Sequence, residues 1–310
     1  MNRSIAIVGA PTSIGIRTYD SGEPRYLDRA PGVLRELGLV QRLGASDLGD
    51  VIPPPYRDYV RPPGRARNEA EVGAYCRTLG ERVDEATGDG RFAVVLGGDC
   101  SIVLGSLLGA RKSAQGSVGL VYIDAHADFG TPEESRTGSV ASMCLALAVG
   151  RGETPLARLA GDEPLVHGKD VVLIGRRDAA EPWYGHAALA TSPILDIPGA
   201  ALSDRGAADV AAAALERLTS PGSRGFWIHL DADVINPTVM AAVDSPEPGG
   251  PTIKELADLL IPLVRHPRAL GLELTIYDPG LDPDRSCAAR LVSLLENVLL
   301  GVRSLDGRAA

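Results

Sequence analysis

Seven short apolar runs alternate along this chain with segments that repeat apolar residues at helical spacing. The runs cover residues 5–8, 92–96, 119–123, 171–174, 193–196, 226–230 and 270–276, and the helical segments cover 68–86, 101–111, 140–149, 207–218, 253–264 and 288–299. Apolar strands that alternate with helices are typical of a mostly parallel sheet covered on both faces. The pattern therefore predicts an α/β fold, and a length of 310 residues fits one domain over residues 1–310.

Polar clusters directly follow three of the predicted strands. Residues 97–101 read GGDCS after the run at 92–96, residues 124–128 read DAHAD after 119–123, and residues 231–233 read DAD after 226–230. Ligand groups of open α/β sheets collect beyond the carboxyl ends of the strands. We therefore expect all three clusters at one rim of the sheet.

The second and third clusters carry metal-ligand side chains at alternate positions. Asp124, His126 and Asp128 share one face of an extended chain, and so do Asp231 and Asp233. Each cluster alone could be a capping loop, but the pair indicates a metal site. Five oxygen or imidazole ligands without a second histidine favour Mn²⁺, and a carboxylate-rich site can bridge two ions that share a hydroxide.

Four cysteines lie far apart without a CxxC pair, which excludes a zinc finger or a disulfide framework. We expect Cys76, Cys144 and Cys287 to be small buried apolar residues. Cys100 differs because it lies in GGDCS, where two glycines let the backbone turn tightly and bring Asp99 or Cys100 to the rim. GGDCS lacks the lysine of a phosphate-binding loop, so no nucleotide cofactor is predicted.

Composition restricts the partners. The net charge of −9 and the pI of 5.1 argue against binding to nucleic acid or to an anionic membrane. No apolar run reaches the ~18 residues of a membrane span, and the N-terminus has no signal-peptide pattern. We therefore expect a cytoplasmic protein with a small-molecule substrate.

The order and spacing of the motifs resemble the ureohydrolase family of arginases, agmatinases and formimidoylglutamases. The signatures of that family read roughly GGDHS, DAHxD and SxDxDxxDP, and this chain has GGDCS at 97–101, DAHAD at 124–128 and HLDADVINP at 229–237. The similarity extends from PGVLRELGL at 31–39 to YDP at 277–279. The resemblance implies a three-layer α/β/α fold and a two-manganese centre. Family members commonly form trimers or hexamers, so the resemblance is also compatible with a homo-oligomer.

The resemblance further implies a ligand set: Cys100, Asp124, Asp128 and Asp231 at one ion, and His126, Asp124, Asp231 and Asp233 at the other. Cys100 stands where family members have a histidine. A thiolate can ligate Mn²⁺ but shifts the preference towards Zn²⁺ or Fe²⁺. Alternatively, Cys100 only fills space, and one of the two ions binds weakly or is absent. A hydroxyarginine-hydrolysing relative of arginase is similar in carrying cysteine here.

A second departure concerns proton transfer. Arginases carry an Asn-x-His motif beyond DAHxD, whose histidine is a proton shuttle, whereas the matching residues 137–143 read TGSVASM. His229 lies two residues before Asp231 on the same strand face and is the candidate for general acid work. In the alternative, it is a buried histidine with satisfied hydrogen bonds.

Further departures concern the substrate. The family glutamate that binds the guanidinium corresponds to Ile276, and a buried unpaired guanidinium costs several kcal/mol. Unless Glu273 substitutes for it, neither arginine nor agmatine is the expected substrate. The loop at 175–181 keeps Asp178 as a candidate substrate-binding residue, but Ala180 replaces a family aspartate. Asn236 replaces the last aspartate of the third signature, a change expected to cost little.

The favoured function is a binuclear manganese hydrolase in which hydroxide, oriented by Asp128, attacks an sp² carbon that bears nitrogen. The predicted substrate is a linear amidine or a weakly basic modified guanidine, such as a hydroxyguanidine. Two alternatives stay open: a hydrolase of a neutral amide or hydrazide, and a catalytically silent metal-binding relative.

Overall fold

Eight parallel strands form one sheet in the computed structural model, which describes residues 3–178, 180, 185–219 and 222–303. The strands are β1 (Ile5–Gly9), β2 (Ser46–Asp50), β3 (Phe92–Leu96), β4 (Gly119–Ile123), β5 (Val171–Ile174), β6 (Leu195–Ile197), β7 (Phe226–Asp231) and β8 (Ala269–Thr275). Their order across the sheet is β2-β1-β3-β8-β7-β4-β5-β6. The predicted parallel α/β architecture is confirmed.

All seven predicted strands are present, and β2 is the strand that the sequence did not reveal. Its sequence, SDLGD, is polar, and four of its five residues are exposed. It lies at the edge of the sheet and pairs with β1 alone. An edge strand of this kind needs no apolar face, so it has no hydrophobic pattern to detect.

Ten α-helices surround the sheet within the described residues. They are α1 (Ala30–Glu36), α2 (Leu39–Leu43), α3 (Glu69–Thr87), α4 (Ile102–Ala114), α5 (Cys144–Ala148), α6 (His186–Ala190), α7 (Ala200–Arg205), α8 (Ala207–Leu218), α9 (Ile253–Arg265) and α10 (Ser286–Arg303). The helix predicted at 140–149 is split into a 3-10 helix, Val140–Met143, and the short α5. α3 packs against α4, and α8 and α10 both pack against α9, which gives the expected three-layer α/β/α fold.

The strand order places the motifs together. β3, β8, β7 and β4 are neighbours in the middle of the sheet, and every residue of β3, β4 and β7 is buried. Buried parallel strands need apolar side chains on both faces, which explains their nearly continuous apolar sequences. The three motifs therefore emerge next to one another from the carboxyl end of the central strands.

None of the helices in the described part of the chain combines the length and the apolar character that a membrane crossing needs.

Candidate metal centre

The three motifs line one cavity at the carboxyl ends of the central strands. Its described lining consists of Ile16, Arg17, Arg25, Cys100, Asp124, His126, Asp128, Thr137, Ser139, Ala141, Ser142, Asp231, Asp233, Asp244, Ser245 and Ile276. All six predicted metal ligands are therefore brought to one place. Because they lie at the end of β7 or in the segments that follow β3, β4 and β7, the predicted convergence at one rim agrees with the structure.

The GGDCS loop reaches this cavity by packing closely against the loop after β1. A Cβ atom on Gly98 would lie 2.1 Å from the carbonyl oxygen of Thr12, and Asp99 N donates to that same oxygen at 3.0 Å. Neither glycine of the motif has a positive φ. The chain bends at residues 98 and 99, and close approach of the backbone, not a left-handed φ, is what requires glycine at position 98. Cys100 faces the cavity, whereas buried Asp99 accepts a hydrogen bond from Gly15 N.

The register of the sheet brings further side chains beside the motifs. Tyr122 of β4 is paired with His229 of β7, and His229 is paired with Glu273 of β8. Asp231 is paired with Thr275 two residues further along. Since side chains two residues apart on a strand share a face, the row at His229 lies directly behind the row at Asp231.

The first donor group consists of Cys100, Asp124, His229 and Asp231, whose ligating atoms all lie within 4.8 Å of one another. The Cys100 thiol donates to Asp231 Oδ2 at 2.9 Å, and Sγ lies 3.8 Å from Thr275 Oγ1. Burial, and then the charge of Asp231, raise the pKa of Cys100 well above its usual value. A thiolate at this position therefore needs a cation beside it.

The second donor group consists of Asp124, His126 and Asp233. His126 Nδ1 lies 3.0 Å from Asp233 Oδ2 and 3.5 Å from Asp124 Oδ1. His126 Nε2 lies 3.8 Å from Glu247 Oε1, a neighbour that no sequence motif indicates. Asp124 belongs to both groups, as a carboxylate that bridges two ions would.

Asp128 lines the same cavity but belongs to neither donor group. Its Oδ2 accepts a hydrogen bond from the Tyr122 hydroxyl at 2.6 Å, and its backbone is in the left-handed region, with φ 46°. Non-glycine residues adopt that conformation uncommonly, although aspartate does so more often than most. Asp128 is thus held in one orientation by its own backbone and by Tyr122.

Burial and mutual repulsion oppose ionisation of these carboxylates. Burial, followed by the charge of Asp233, raises the pKa of Asp124 to about 6. Burial, and then Asp124, raise the pKa of Asp128 well above its usual value, and burial with Asp233 does the same to Asp231. At Asp233 burial acts upward too, but the adjacent His126 outweighs it and lowers the pKa. Cations among these groups would favour their ionised forms.

Two buried polar atoms of the centre test whether it fits metal ions. Asp124 Oδ2 and His229 Nε2 have no hydrogen-bond partner in the described part of the chain, and they lie 3.9 Å apart. Unsatisfied buried polar atoms are rare because they cost free energy. A cation between them would satisfy both, so the donor set fits a divalent metal.

The two predicted substrate-binding carboxylates lie away from the cavity lining. Glu273 is fully buried and accepts hydrogen bonds from His229 Nδ1 at 2.7 Å and from the Ser106 hydroxyl. Asp178 is buried and accepts from Ala127 N at 2.8 Å. Glu273 and Asp178 thus hold residues of the site in position, by their hydrogen bonds to His229 and to the backbone of the DAHAD motif. Their role in substrate binding stays a prediction.

The structure describes only part of the predicted substrate-side loop at 175–181. Ala179 and Glu181 lie outside the described residues, and Ala180 is exposed. Cys76, Cys144 and Cys287 are buried and free, as predicted.

A central parallel sheet with two carboxylate-rich donor groups at its strand ends is typical of a metal-binding α/β protein. A model of the arginase family matches residues 3–301. The chain therefore belongs to the arginase family, a family of hydrolases. This confirms the resemblance seen in the motifs.

Individual relatives agree over nearly the whole length. An arginase from Bacillus caldovelox is 30% identical over 300 residues, which cover 94% of this chain and 97% of that protein. Arginase-1 from Homo sapiens is 28% identical over 291 residues, which cover 90% of this chain and 86% of that protein. The crystal structure of an arginase from Bacillus cereus superposes with a TM-score of 0.83 at 26% identity, covering 96% of this chain and 98% of that one.

Proposed function

We propose that this protein is a binuclear manganese hydrolase that cleaves a non-peptide C–N bond in a linear amidine or a weakly basic modified guanidine. The observation that carries the proposal is a cavity in which two buried donor groups share Asp124, while the rest of its lining, among the described residues, offers no unpaired carboxylate to a cationic substrate. A hydroxyguanidine meets these conditions.

The donor set supports two divalent ions. Cys100 and Asp231 would hold one with Asp124, and His126 and Asp233 would hold the other with the same carboxylate. Carboxylates dominate the set, and oxygen ligands suit Mn²⁺, although the thiol of Cys100 makes Zn²⁺ or Fe²⁺ acceptable at the first position. Bound ions of this kind supply a water of lowered pKa and polarise the group under attack.

Asp128 is assigned to proton handling. Tyr122 occupies Oδ2 of Asp128, which leaves Oδ1 to accept a proton from the attacking water and to pass it to the departing nitrogen. The residues that line the position of the family shuttle, Ser139 and Ser142, carry no titratable group. A substrate of low basicity needs less help from a general acid, which suits this arrangement. General acid work by His229 stays a second assignment, weakened by the complete burial of its side chain.

The charges of the cavity argue against a guanidinium substrate. Ile276, at the position of the family's guanidinium-binding glutamate, is buried and lines the cavity. Besides the predicted metal ligands, Asp244 is the one acid in the described lining, and it is paired with Arg25. Arg17 also lines the cavity, and it is paired with Asp20. Apart from the predicted metal ligands, a cationic substrate would therefore meet only paired charges in the described lining, and no carboxylate is left free to neutralise it.

The proposal is tested with protein reconstituted with Mn²⁺. The activity on hydroxyarginine, arginine, agmatine, formimidoylglutamate and a panel of neutral amides and hydrazides is measured by release of the amine or urea. Burying an unpaired guanidinium costs ~3 kcal/mol. We therefore expect kcat/KM for hydroxyarginine to exceed that for arginine by about 100-fold. Asp128→Asn should lose turnover with every substrate. Efficient turnover of arginine would contradict the substrate assignment.

The second candidate is a catalytically silent metal-binding relative, because the histidine at position 100, the shuttle histidine and the guanidinium-binding glutamate are all replaced. Two bound ions per chain without hydrolysis of any compound in the panel would favour it.

A further inference from the structure

We propose that His229 of β7 is a metal ligand that takes the place of the histidine for which Cys100 is substituted. Its Nε2 would complete the first donor group together with Cys100, Asp124 and Asp231. The inference rests on the proposed metal centre but not on the proposed substrate or on turnover.

The position of Nε2 is the main evidence. His229 is fully buried, and one of its ring nitrogens lies within 4.8 Å of the ligating atoms of the other three residues. It has no hydrogen-bond partner among the residues that the structure describes. Asp124 Oδ2, which is also unsatisfied, lies 3.9 Å away. Two ligands that are each about 2.1 Å from one ion lie at most about 4.2 Å apart, so a shared ion fits this separation.

The other ring nitrogen fixes the tautomer that ligation requires. Nδ1 lies 2.7 Å from Glu273 Oε1, and with that oxygen as the acceptor the hydrogen-bond network assigns the ring proton to Nδ1. The lone pair is then on Nε2. Metal-ligating histidines nearly always donate their other N–H to a carboxylate or a carbonyl in this way. The Ser106 hydroxyl donates to the second oxygen of Glu273, so the orienting carboxylate is itself held in place.

The ring plane is fixed as well. The Tyr122 ring stacks on the imidazole, with centroids 4.1 Å apart and planes 15° from parallel. A histidine that served only to fill the core would need no free nitrogen, and burying one without a partner would destabilise the fold. Ligation accounts for the free nitrogen, the oriented Nδ1 and the stacked ring together.

The sequence records the same exchange. Relative to the GGDHS and SxDxDxxDP signatures, this chain loses a histidine at position 100 and gains one at 229, where the third signature has serine. β3 and β7 are separated by β8 alone, so both positions reach the same group. The result is a thiolate, an imidazole and two carboxylates around one ion. This softer set should bind Zn²⁺ or Co²⁺ more tightly than Mn²⁺ at this position.

The test uses Co²⁺ as a spectroscopic probe and elemental analysis to count ions. Wild-type protein, His229→Ser and Glu273→Gln are titrated with Co²⁺, and affinities are read from the visible d–d bands and from the near-ultraviolet thiolate charge-transfer band. Glu273→Gln removes the orienting carboxylate and is expected to lower the affinity of the first donor group for its ion by about 10–100-fold. His229→Ser removes the ligand itself and should lower that affinity by at least the same factor. The thiolate band should change in His229→Ser while one ion per chain is retained.

Two controls separate ligation from a structural role. His167→Ser removes a partly exposed histidine near Glu163 and should leave both ions unchanged. The double variant Cys100→His with His229→Ser restores the signature residues at both positions and should recover the ion of the first donor group.

Two unchanged ions with an unchanged spectrum in His229→Ser would overturn the inference, even if the wild type hydrolyses the proposed substrates. Conversely, loss of the ion at the first donor group in His229→Ser would uphold it, even if no substrate is turned over.

Discussion

The phenol ring of Tyr122 stacks on the imidazole of His229, and the hydroxyl of the same tyrosine donates to Asp128 Oδ2 at 2.6 Å. One side chain of β4 therefore fixes two functional groups that belong to different parts of the site. The arrangement follows from the register, which pairs Tyr122 with His229 across the two strands. Tyr122 thus couples the orientation of the proton-handling carboxylate to that of a candidate metal ligand.

The first prediction concerns Tyr122→Phe, which keeps the ring stack and removes one hydrogen bond. A buried carboxylate that loses such a donor is destabilised by about 1.5–3 kcal/mol, and Asp128 should lose its fixed orientation. We expect lower kcat with little change in metal content, measured by steady-state kinetics and elemental analysis.

Tyr277→Phe is the matched control, because Tyr277 donates to buried Asp282 at 2.8 Å and Asp282 is not part of the described cavity lining. It should lose comparable stability in denaturant unfolding and keep its activity. Equal activities in the two variants would contradict the role of Tyr122.

The second prediction concerns Ile276→Glu. Ile276 lines the cavity with φ 64°, a conformation that is especially costly for a β-branched residue. Glutamate is not β-branched, so the backbone should tolerate it, and its carboxylate would offer a partner to a guanidinium. We expect kcat/KM for arginine or agmatine to rise by about 10-fold or more, and that for hydroxyarginine to rise less.

Ile276→Gln is the control, since it has the shape of glutamate without its charge. A similar gain in Ile276→Gln would show that size, and not charge, excludes the cationic substrates.

The sequence was sufficient for the central strands and the metal residues because both depend on local patterns. Buried parallel strands leave continuous apolar runs, and ligands at alternate positions are readable without a structure. β2 could not be predicted in this way, since its polar residues pair only with β1 at the edge. The role of Glu273 was equally inaccessible, because it follows from pairing with His229 in β7, 44 residues away along the chain. The sequence places His229 on the strand face of Asp231, but the orientation of its ring follows only from the three-dimensional structure.

The third prediction concerns Gly98→Ala. A Cβ atom here would lie 2.1 Å from Thr12 O and 2.8 Å from Thr12 N, and backbone atoms cannot yield as a flexible side chain can. We expect a loss of about 2–3 kcal/mol in the free energy of unfolding and weaker binding of the first ion, because Cys100 would be displaced. Both are measured by denaturant titration and by elemental analysis. Gly32→Ala is the control: Gly32 lies in α1 with no atom within 4 Å of the added Cβ, so this variant should be neutral or slightly stabilised. Equal stabilities of the two variants would refute the close-packing argument.

The last prediction concerns removal of metal. Asp124, Asp128 and Asp231 are buried, and burial with mutual repulsion raises the pKa of each. Without cations, the folded state must either bind protons or tolerate unpaired charge, and both destabilise it near neutral pH.

Ligand linkage predicts that free Mn²⁺ at a hundred times its Kd raises the free energy of unfolding by about 2.7 kcal/mol for each site occupied. Thermal unfolding with and without chelator should therefore show a Tm that rises with Mn²⁺ concentration. The rise should be smaller in Asp124→Asn, because Asp124 belongs to both donor groups. If the Tm of the wild type does not change with Mn²⁺ concentration, protonation alone neutralises the buried carboxylates. That result would contradict the proposed metal centre.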